Sequence, residues 1–410
     1  MSGCTSACWV RGAPEVLRGR DIVVLSSLDY MAHWTSKQQI MHRLAPTNRV
    51  LYVEEPVTMA APFKVPERWT RWAAVPPTLR RAEFDLWTLT PPPVLPFGNV
   101  RPQINRVNQR IMASYIRWAL PRLGLRDYIL WSYLPATVSI LPHLDPAAVV
   151  YHCVDEHSAF PGFVTPEVVW RYDQELCARA DLVVCTADNL RAARAGSNPY
   201  VYHVPNAGDV EHFKQALDPA LPLPADAACY PAPRLGVIGV HDERLDVQAV
   251  KAIAQADPGW NVLIIGPIRP GDVDEATLRS LPNVHLLGRK QVAELPAYVK
   301  GLDVALIPYK TGELTRNIFP LKLFEYLAGG VPVVVSGLPE LERYRGQIDI
   351  AAGPSDFPEV IRRVLAEDSP EKRAARVRLA EQNSWDHRVE AISDLVEAML
   401  VRKGLAEGAR

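Results

Sequence analysis

Residues 311–336 read TGELTRNIFPLKLFEYLAGGVPVVVS, and they follow an apolar run, Leu302–Pro308. The order is strand, loop, short helix, double-glycine stop and a second buried strand, which is the unit of a parallel α/β sheet. Pro320 suits a first helical turn, where its missing N–H is not needed, and Gly329-Gly330 suits the exit. At about 100° per residue, Leu321, Leu323, Phe324, Leu327 and Ala328 share one arc, and Lys322, Glu325 and Tyr326 fall on the rest. The loop before such a helix presents free N–H groups and a positive dipole end, which suit a phosphate. Lys322 adds a cation in the first turn, and Glu325, one turn deeper, is placed to accept hydrogen bonds from a sugar's hydroxyls. The same spacing also fits a plain amphipathic helix covering a sheet, with both charges solvated.

The chain has 410 residues, more than one ordinary α/β core holds, so two domains are expected. Its 48% hydrophobic and 22% charged residues are those of a soluble globular protein, and a formal net charge of −1 argues against bulk nucleic-acid binding. No run of 18 or more apolar residues spans a membrane. The start, MSGCTSACWVRGAPEVLRGR, has no apolar signal-peptide core, so a cytoplasmic location is expected. The cysteines Cys4, Cys8, Cys153, Cys177, Cys185 and Cys229 match no zinc spacing; Cys153 and Cys185 sit in apolar runs, where a free thiol behaves as a small hydrophobe.

Taken in order, residues 1–20 read as a flexible tail. DIVVLS (21–26), the loop SLDYMAHWTS, a helix near Lys37–Leu44 and RVLYV (49–53) open a doubly wound sheet. The first loop lies at the carboxyl edge, where such sheets bind ligands, so Ser27, His33 and Trp34 are ligand candidates; packing is the other account of His33 and Trp34. Residues 57–126 differ in character. They carry PPP at 91–93 and eleven Lys/Arg against three acids, a local charge of +8 that leaves −9 for the rest of the chain. FKVPERWTRW (63–72) mixes aromatics with cations, a pattern suited to an anionic membrane surface as well as to a solvated loop and helix. Strands are expected near Tyr128–Ser132, Val149–His152 and Leu182–Cys185. The middle one ends in Asp155-Glu156-His157, a candidate general base or charge-stabilising group that equally suits a helix cap.

Residues 218–233, DPALPLPADAACYPAP, have no periodicity and read as the linker between a first domain, 21–217, and a second, 234–383. The second opens with RLGVIG (234–239). Gly236-Val-Ile-Gly239 is not GxGxxG, so the dinucleotide fingerprint fails, yet Gly239 still allows close approach of a ligand, with His241 in the following loop. Arg244 either reaches a diphosphate or is a solvated surface residue. Further strands are expected at Asn261–Ile265, Val284–Leu287 and Val304–Pro308, and a last helix follows Ser384-Trp385-Asp386 in the segment 384–410.

Asn317-x7-Glu325 with PLKLFEYLAGGVPVVVS resembles the nucleotide-sugar motif of retaining glycosyltransferases of the GT-B architecture, two Rossmann-like domains facing across a cleft. The wording is most similar to the bacterial branch that makes polysaccharides and lipid-linked saccharides. That motif usually has Glu at both ends, and here the first position is Asn317. The resemblance implies transfer of a sugar (hexosyl) from a nucleotide diphosphate donor to a saccharide or lipid-linked acceptor, with retention. It implies no cofactor and no metal, because Lys322, Arg244 and the loop amides before Pro320 would stabilise the departing diphosphate. Glu325 would hold the ribose, Asn317, Ile318, Pro320 and Leu321 the sugar or phosphate, and the backbone near Gly288 and Arg289 the base. Asp155 would act nearest the chemistry, with His157 on the acceptor side. It further implies a peripheral position on the inner face of the cell membrane, and a Trp-led terminal helix that crosses back onto the first domain. Asp272-Val273-Asp274 is a DxD, which in single-domain glycosyltransferases holds a metal; here it precedes a short polar helix, and N-capping is the better account. Two other functions remain open. One is a nucleotide-sugar epimerase of the same fold; the other is a non-catalytic nucleotide- or saccharide-binding module, for which Asn317 is the best argument.

Overall fold

The computed structural model describes residues 16–32, 34–61, 77–159, 164–312, 315–316 and 318–405. His33, Asn317 and the 63–72 stretch lie outside the described residues.

Two sheets organise the chain. The first contains β1 (Asp21–Leu25), β2 (Arg49–Val53), β3 (Thr78–Glu83), β4 (Leu86–Thr90), β5 (Ile129–Ser132), β6 (Ala148–Cys153), β7 (Leu182–Cys185) and β8 (Val201–His203), in the order β3-β4-β2-β1-β5-β6-β7-β8. All neighbours are parallel except the β3–β4 hairpin. The second contains β9 (Arg234–Ile238), β10 (Asn261–Ile265), β11 (Val284–Gly288), β12 (Val304–Ile307), β13 (Val333–Ser336) and β14 (Asp349–Ala351), in the order β11-β10-β9-β12-β13-β14, all parallel. Valine, isoleucine and leucine fill these strands because helices cover both faces. In each sheet the order reverses at the middle, between β1 and β5 and between β9 and β12, and the loops at those carboxyl ends open the crevices where open α/β sheets bind ligands.

Packing draws the domain boundary earlier than residues 218–233. Val210, Phe213, Ala216 and Ala227 belong to the second domain's core, whereas Val204 and Ala207 belong to the first. The 218–233 segment is strapped to the second domain: the Lys300 ammonium donates to the carbonyls of Asp218, Pro219 and Leu221 at 2.6–2.8 Å, and Asp226 pairs with Lys290 and accepts from Tyr298. The chain crosses between domains near Gly208 and returns near Ser384, and these two crossings pair with each other. Gly208 N donates to Asn383 O at 3.2 Å and Trp385 N to Gly208 O at 3.3 Å.

The return leads into the helix Trp385–Arg402, capped by the Ser384 hydroxyl, which accepts from His387 N. Its Trp385, Val389, Ile392, Val396 and Met399 are buried in the first domain's core beside Ile22, Ile40 and Leu44. The end of the expected flexible tail is ordered too. Leu17 is buried, its carbonyl accepts from Asn48 Nδ2 and Thr47 Oγ1, and the Arg20 guanidinium reaches Leu405 O and Glu397.

The basic 57–126 region forms the β3–β4 hairpin at the sheet edge and a 22-residue helix, Pro102–Leu123. One face of that helix buries Met112, Ala113, Ile116 and Ala119, and the other exposes Arg106, Val107, Arg110, Arg117 and Arg122. Among the described residues no helix is long and apolar enough to cross a membrane.

Candidate active site

The helix Lys322–Ala328 is held against the end of β9 by Tyr326, whose hydroxyl accepts from Ile238 N at 2.8 Å. Tyr326 is therefore buried under the helix rather than sharing the polar arc with Lys322 and Glu325. That leaves Lys322 and Glu325 facing a cavity of about 390 Å³ between the domains. With only seven residues the helix has a short dipole, so the side-chain cation dominates the field at its start. Lys322 lies directly over Gly239 (φ +139°), where a Cβ would stand 2.1 Å from Lys322 Cε. Glycine takes this backbone without strain, and any side chain there would displace the end of Lys322.

Arg244 lines the same cavity. Its Nε and Nη2 donate to the buried Asp242 carboxylate at 2.7 and 2.6 Å, and its guanidinium lies 5.7 Å from the centre of the Tyr309 ring. It is neither free nor a solvated surface arginine: it is fixed in place and offers its remaining N–H groups to the cleft. Burial pushes the Glu325 carboxyl up to about 7, against the pull of Lys322 and with a further push from Asp209. Ile318, Pro320 and Leu321 complete this wall, and Leu321 also packs against the first domain's core.

The first domain closes the cavity with Trp34, Thr35, Lys37, Gln39 and Asp155. Asp155 follows β6, and burial raises its pKa while Lys37 and Arg244 hold it down, so the carboxylate faces cations from both domains. A second cavity of about 600 Å³ lies within the first domain, lined by Ser27, Glu55, Asn99, Thr137, Asp155 and His157 among others, with Arg269 at its edge. Burial, with Lys37, lowers His157 to about 4, so it is neutral at ordinary pH. Thr35, Lys37 and Asp155 line both cavities and mark where they meet.

Four of the residues singled out from the sequence lie elsewhere. His241 sits behind the cleft wall, buried, its imidazole 3.3 Å from Ile265 O and its pKa lowered to about 4 by burial and Lys322. Gly288 (φ +67°) and Arg289 end β11 in the open, and neither lines either cavity; Val292 and Leu295, just beyond, take that part of the wall. Asp274 accepts from Thr277 N and Oγ1 at 3.1 and 2.6 Å and caps the helix Glu275–Arg279, the N-capping account of the DxD. Sequence reasoning missed Lys37, Asp209, His212 and Tyr309. For Lys37 a signal existed: T-S-K-Q (35–38) is a capping-box pattern, and a lysine in the first turn opposes the helix dipole.

Residues 234–367 match the family model described as glycosyl transferases group 1. TuaH of Bacillus subtilis (strain 168), whose given name makes it a candidate teichuronic acid biosynthesis glycosyltransferase, is 31% identical over 234 residues, 54% of this chain and 57% of its own length. The match thus spans little more than half of that relative. Among solved structures, a sucrose-phosphate synthase from Thermosynechococcus elongatus superposes with a TM-score of 0.70 at 14% identity, covering 94% of this chain and 100% of its own. HepE of Anabaena in complex with UDP gives 0.62 at 13% identity, over 92% and 100%. At such identities the structures speak for the fold alone. The chain has the two-domain GT-B fold, and its second domain carries the glycosyl transferases group 1 signature.

Proposed function

We propose that this chain is a glycosyltransferase that moves a sugar from a nucleotide diphosphate donor to a saccharide or lipid-linked acceptor in bacterial cell-surface polysaccharide synthesis. The observation that carries this reading is one cleft walled by Lys322, Arg244 and Glu325 from the second domain and by Asp155 from the first. As the bond between the anomeric carbon and the phosphate breaks, negative charge grows on the diphosphate, and Lys322 and the Arg244 N–H groups are already in place to receive it. A divalent metal is then unnecessary. Glu325, ionised, accepts from the ribose hydroxyls. Asp155, across the cleft, orients the acceptor hydroxyl or takes its proton. The relation to TuaH supports the polysaccharide class, and retention follows the family resemblance.

The exposed Arg106, Arg110, Arg117 and Arg122 face supports a peripheral approach to an anionic lipid surface, where lipid-linked acceptors reside. The experiment is incubation of UDP-glucose, UDP-N-acetylglucosamine, UDP-galactose and GDP-mannose with and without a lipid extract of a teichuronate-producing bacterium. Transfer releases nucleoside diphosphate in step with glycosylated lipid, and only with the extract. Isomerisation of the donor without any acceptor would instead mark an epimerase, and binding without turnover a non-catalytic module.

A further inference from the structure

Lys37 is the second residue of the helix Ser36–Leu44, only 6% exposed, and it borders both cavities. Its position is costly twice over. An ammonium is withdrawn from water, and a cation sits in the first turn of a nine-residue helix that has no acidic residue there to offset the dipole. Little within the fold compensates. Among the described residues its ammonium enters no hydrogen bond and no ion pair within 4 Å, and it lies 5.5 Å from the centroid of the Tyr133 ring. Asp155 and Glu55 act on it through space, and burial lowers its pKa. Three N–H donors are therefore left for what occupies the two cavities that Lys37 borders.

The surrounding charge indicates what they meet. Two carboxylates, Asp155 and Glu55, act on this ammonium; Arg244, across the cleft, also acts on Asp155 but is paired with Asp242; His157 is neutral; and Arg269, on the second domain, lies 3.6 Å from Asp242. An anion at the junction would face both carboxylates. A hydroxyl suits it, since its oxygen accepts from an ammonium while its hydrogen is donated to a carboxylate.

We propose that Lys37 contacts the acceptor saccharide at its reacting hydroxyl, donating to the oxygen while Asp155 accepts from the O–H. This rests on the transferase reading above. In that reaction the acceptor oxygen bonds to the anomeric carbon, the bond from that carbon to the donor phosphate oxygen breaks with its electron pair on the phosphate, and the acceptor proton passes to Asp155. Lys37 stabilises the oxygen as its proton leaves.

The test compares wild type, Lys37→Met and Lys37→Arg in two measurements: calorimetric binding of UDP, GDP, ADP and dTDP, and cleavage of the matching nucleotide sugars with the lipid extract as acceptor. The nucleotide affinity, set by the other wall, stays within about twofold in both variants and reports that the fold is intact, whereas cleavage by Lys37→Met falls about 100-fold or more. Lys37→Arg recovers part of the loss, because it restores the charge and the donors. Cleavage by Lys37→Met at the wild-type rate, with unchanged nucleotide binding, overturns the assignment of Lys37 alone. Failure of the wild type to bind any of the four nucleotides overturns the transferase reading and this assignment with it.

Discussion

Glu325→Gln tests the electrostatics of the donor wall. Burial holds this carboxyl at about 7 against an ordinary 4.5, and that gap is worth about 3 kcal/mol at about 1.36 kcal/mol per pH unit. Because the group opens onto the cleft, about 3 kcal/mol is a ceiling. The folded pKa is raised, so the unfolded chain ionises first as pH rises. The stability present below pH 4.5 is lost progressively up to about pH 7 and stays lost above it. Glutamine has the same shape and no proton to lose. The variant should therefore match wild type near pH 4.5 and exceed it by up to about 3 kcal/mol at pH 8. With about 2.1 cal/mol/K of unfolding entropy per residue, that is roughly 3–4 °C in Tm if all 410 residues melt together, and about twice that if the second domain melts alone. Scanning calorimetry of both proteins from pH 4.5 to 8 measures the divergence. Parallel Tm curves over that range would refute the raised pKa of the Glu325 carboxyl.

Gly239→Ala would place a methyl 2.1 Å from Lys322 Cε at φ +139°. Lys322 is displaced and nucleotide affinity should fall about 10–100-fold, the worth of a charge-assisted hydrogen bond, as read by calorimetry. Trp385→Ala empties a buried site between the last helix and the first domain and should cost about 3–5 kcal/mol, with earlier proteolysis near residues 383–385 as a second readout. Excess EDTA should leave sugar transfer unchanged, because side-chain cations supply the positive charge; loss of activity restored by Mg²⁺ or Mn²⁺ would contradict that.

Much of the architecture was legible because parallel strands buried on both faces are written as short apolar runs, and DIVVL, RVLYV, RLGVI, NVLII and VALI are each one of these. The β3–β4 hairpin was not, since TLRRAE is an edge strand with a solvated face and lacks that pattern. The boundary was misplaced for a different reason. Asp218–Pro233 has the composition of a linker, but Lys300, about 80 residues downstream, ties its first carbonyls to the second domain, and composition does not show long-range hydrogen bonds. In the site, Lys322 and Glu325 could be read from helical spacing, and Arg244 from its place after β9. Tyr326 looked polar by position and is buried because Ile238 N–H needed an acceptor at the end of β9. Lys37 carried a local signal, a cation in the first turn of a capped helix, but its meaning depends on the charge of Asp155 after β6, which that pattern does not record.

The measurement that bears most directly on the central claim is calorimetric titration of UDP, GDP, ADP and dTDP into wild type and Glu325→Ala, with thermal shift in parallel. The account predicts that one nucleoside diphosphate binds one site per chain and, at 100-fold its Kd, stabilises the fold by about 2.7 kcal/mol, with the effect abolished in Glu325→Ala. Absence of binding by all four, or binding that Glu325→Ala leaves intact, would contradict the assignment of this cleft to a nucleotide-sugar donor.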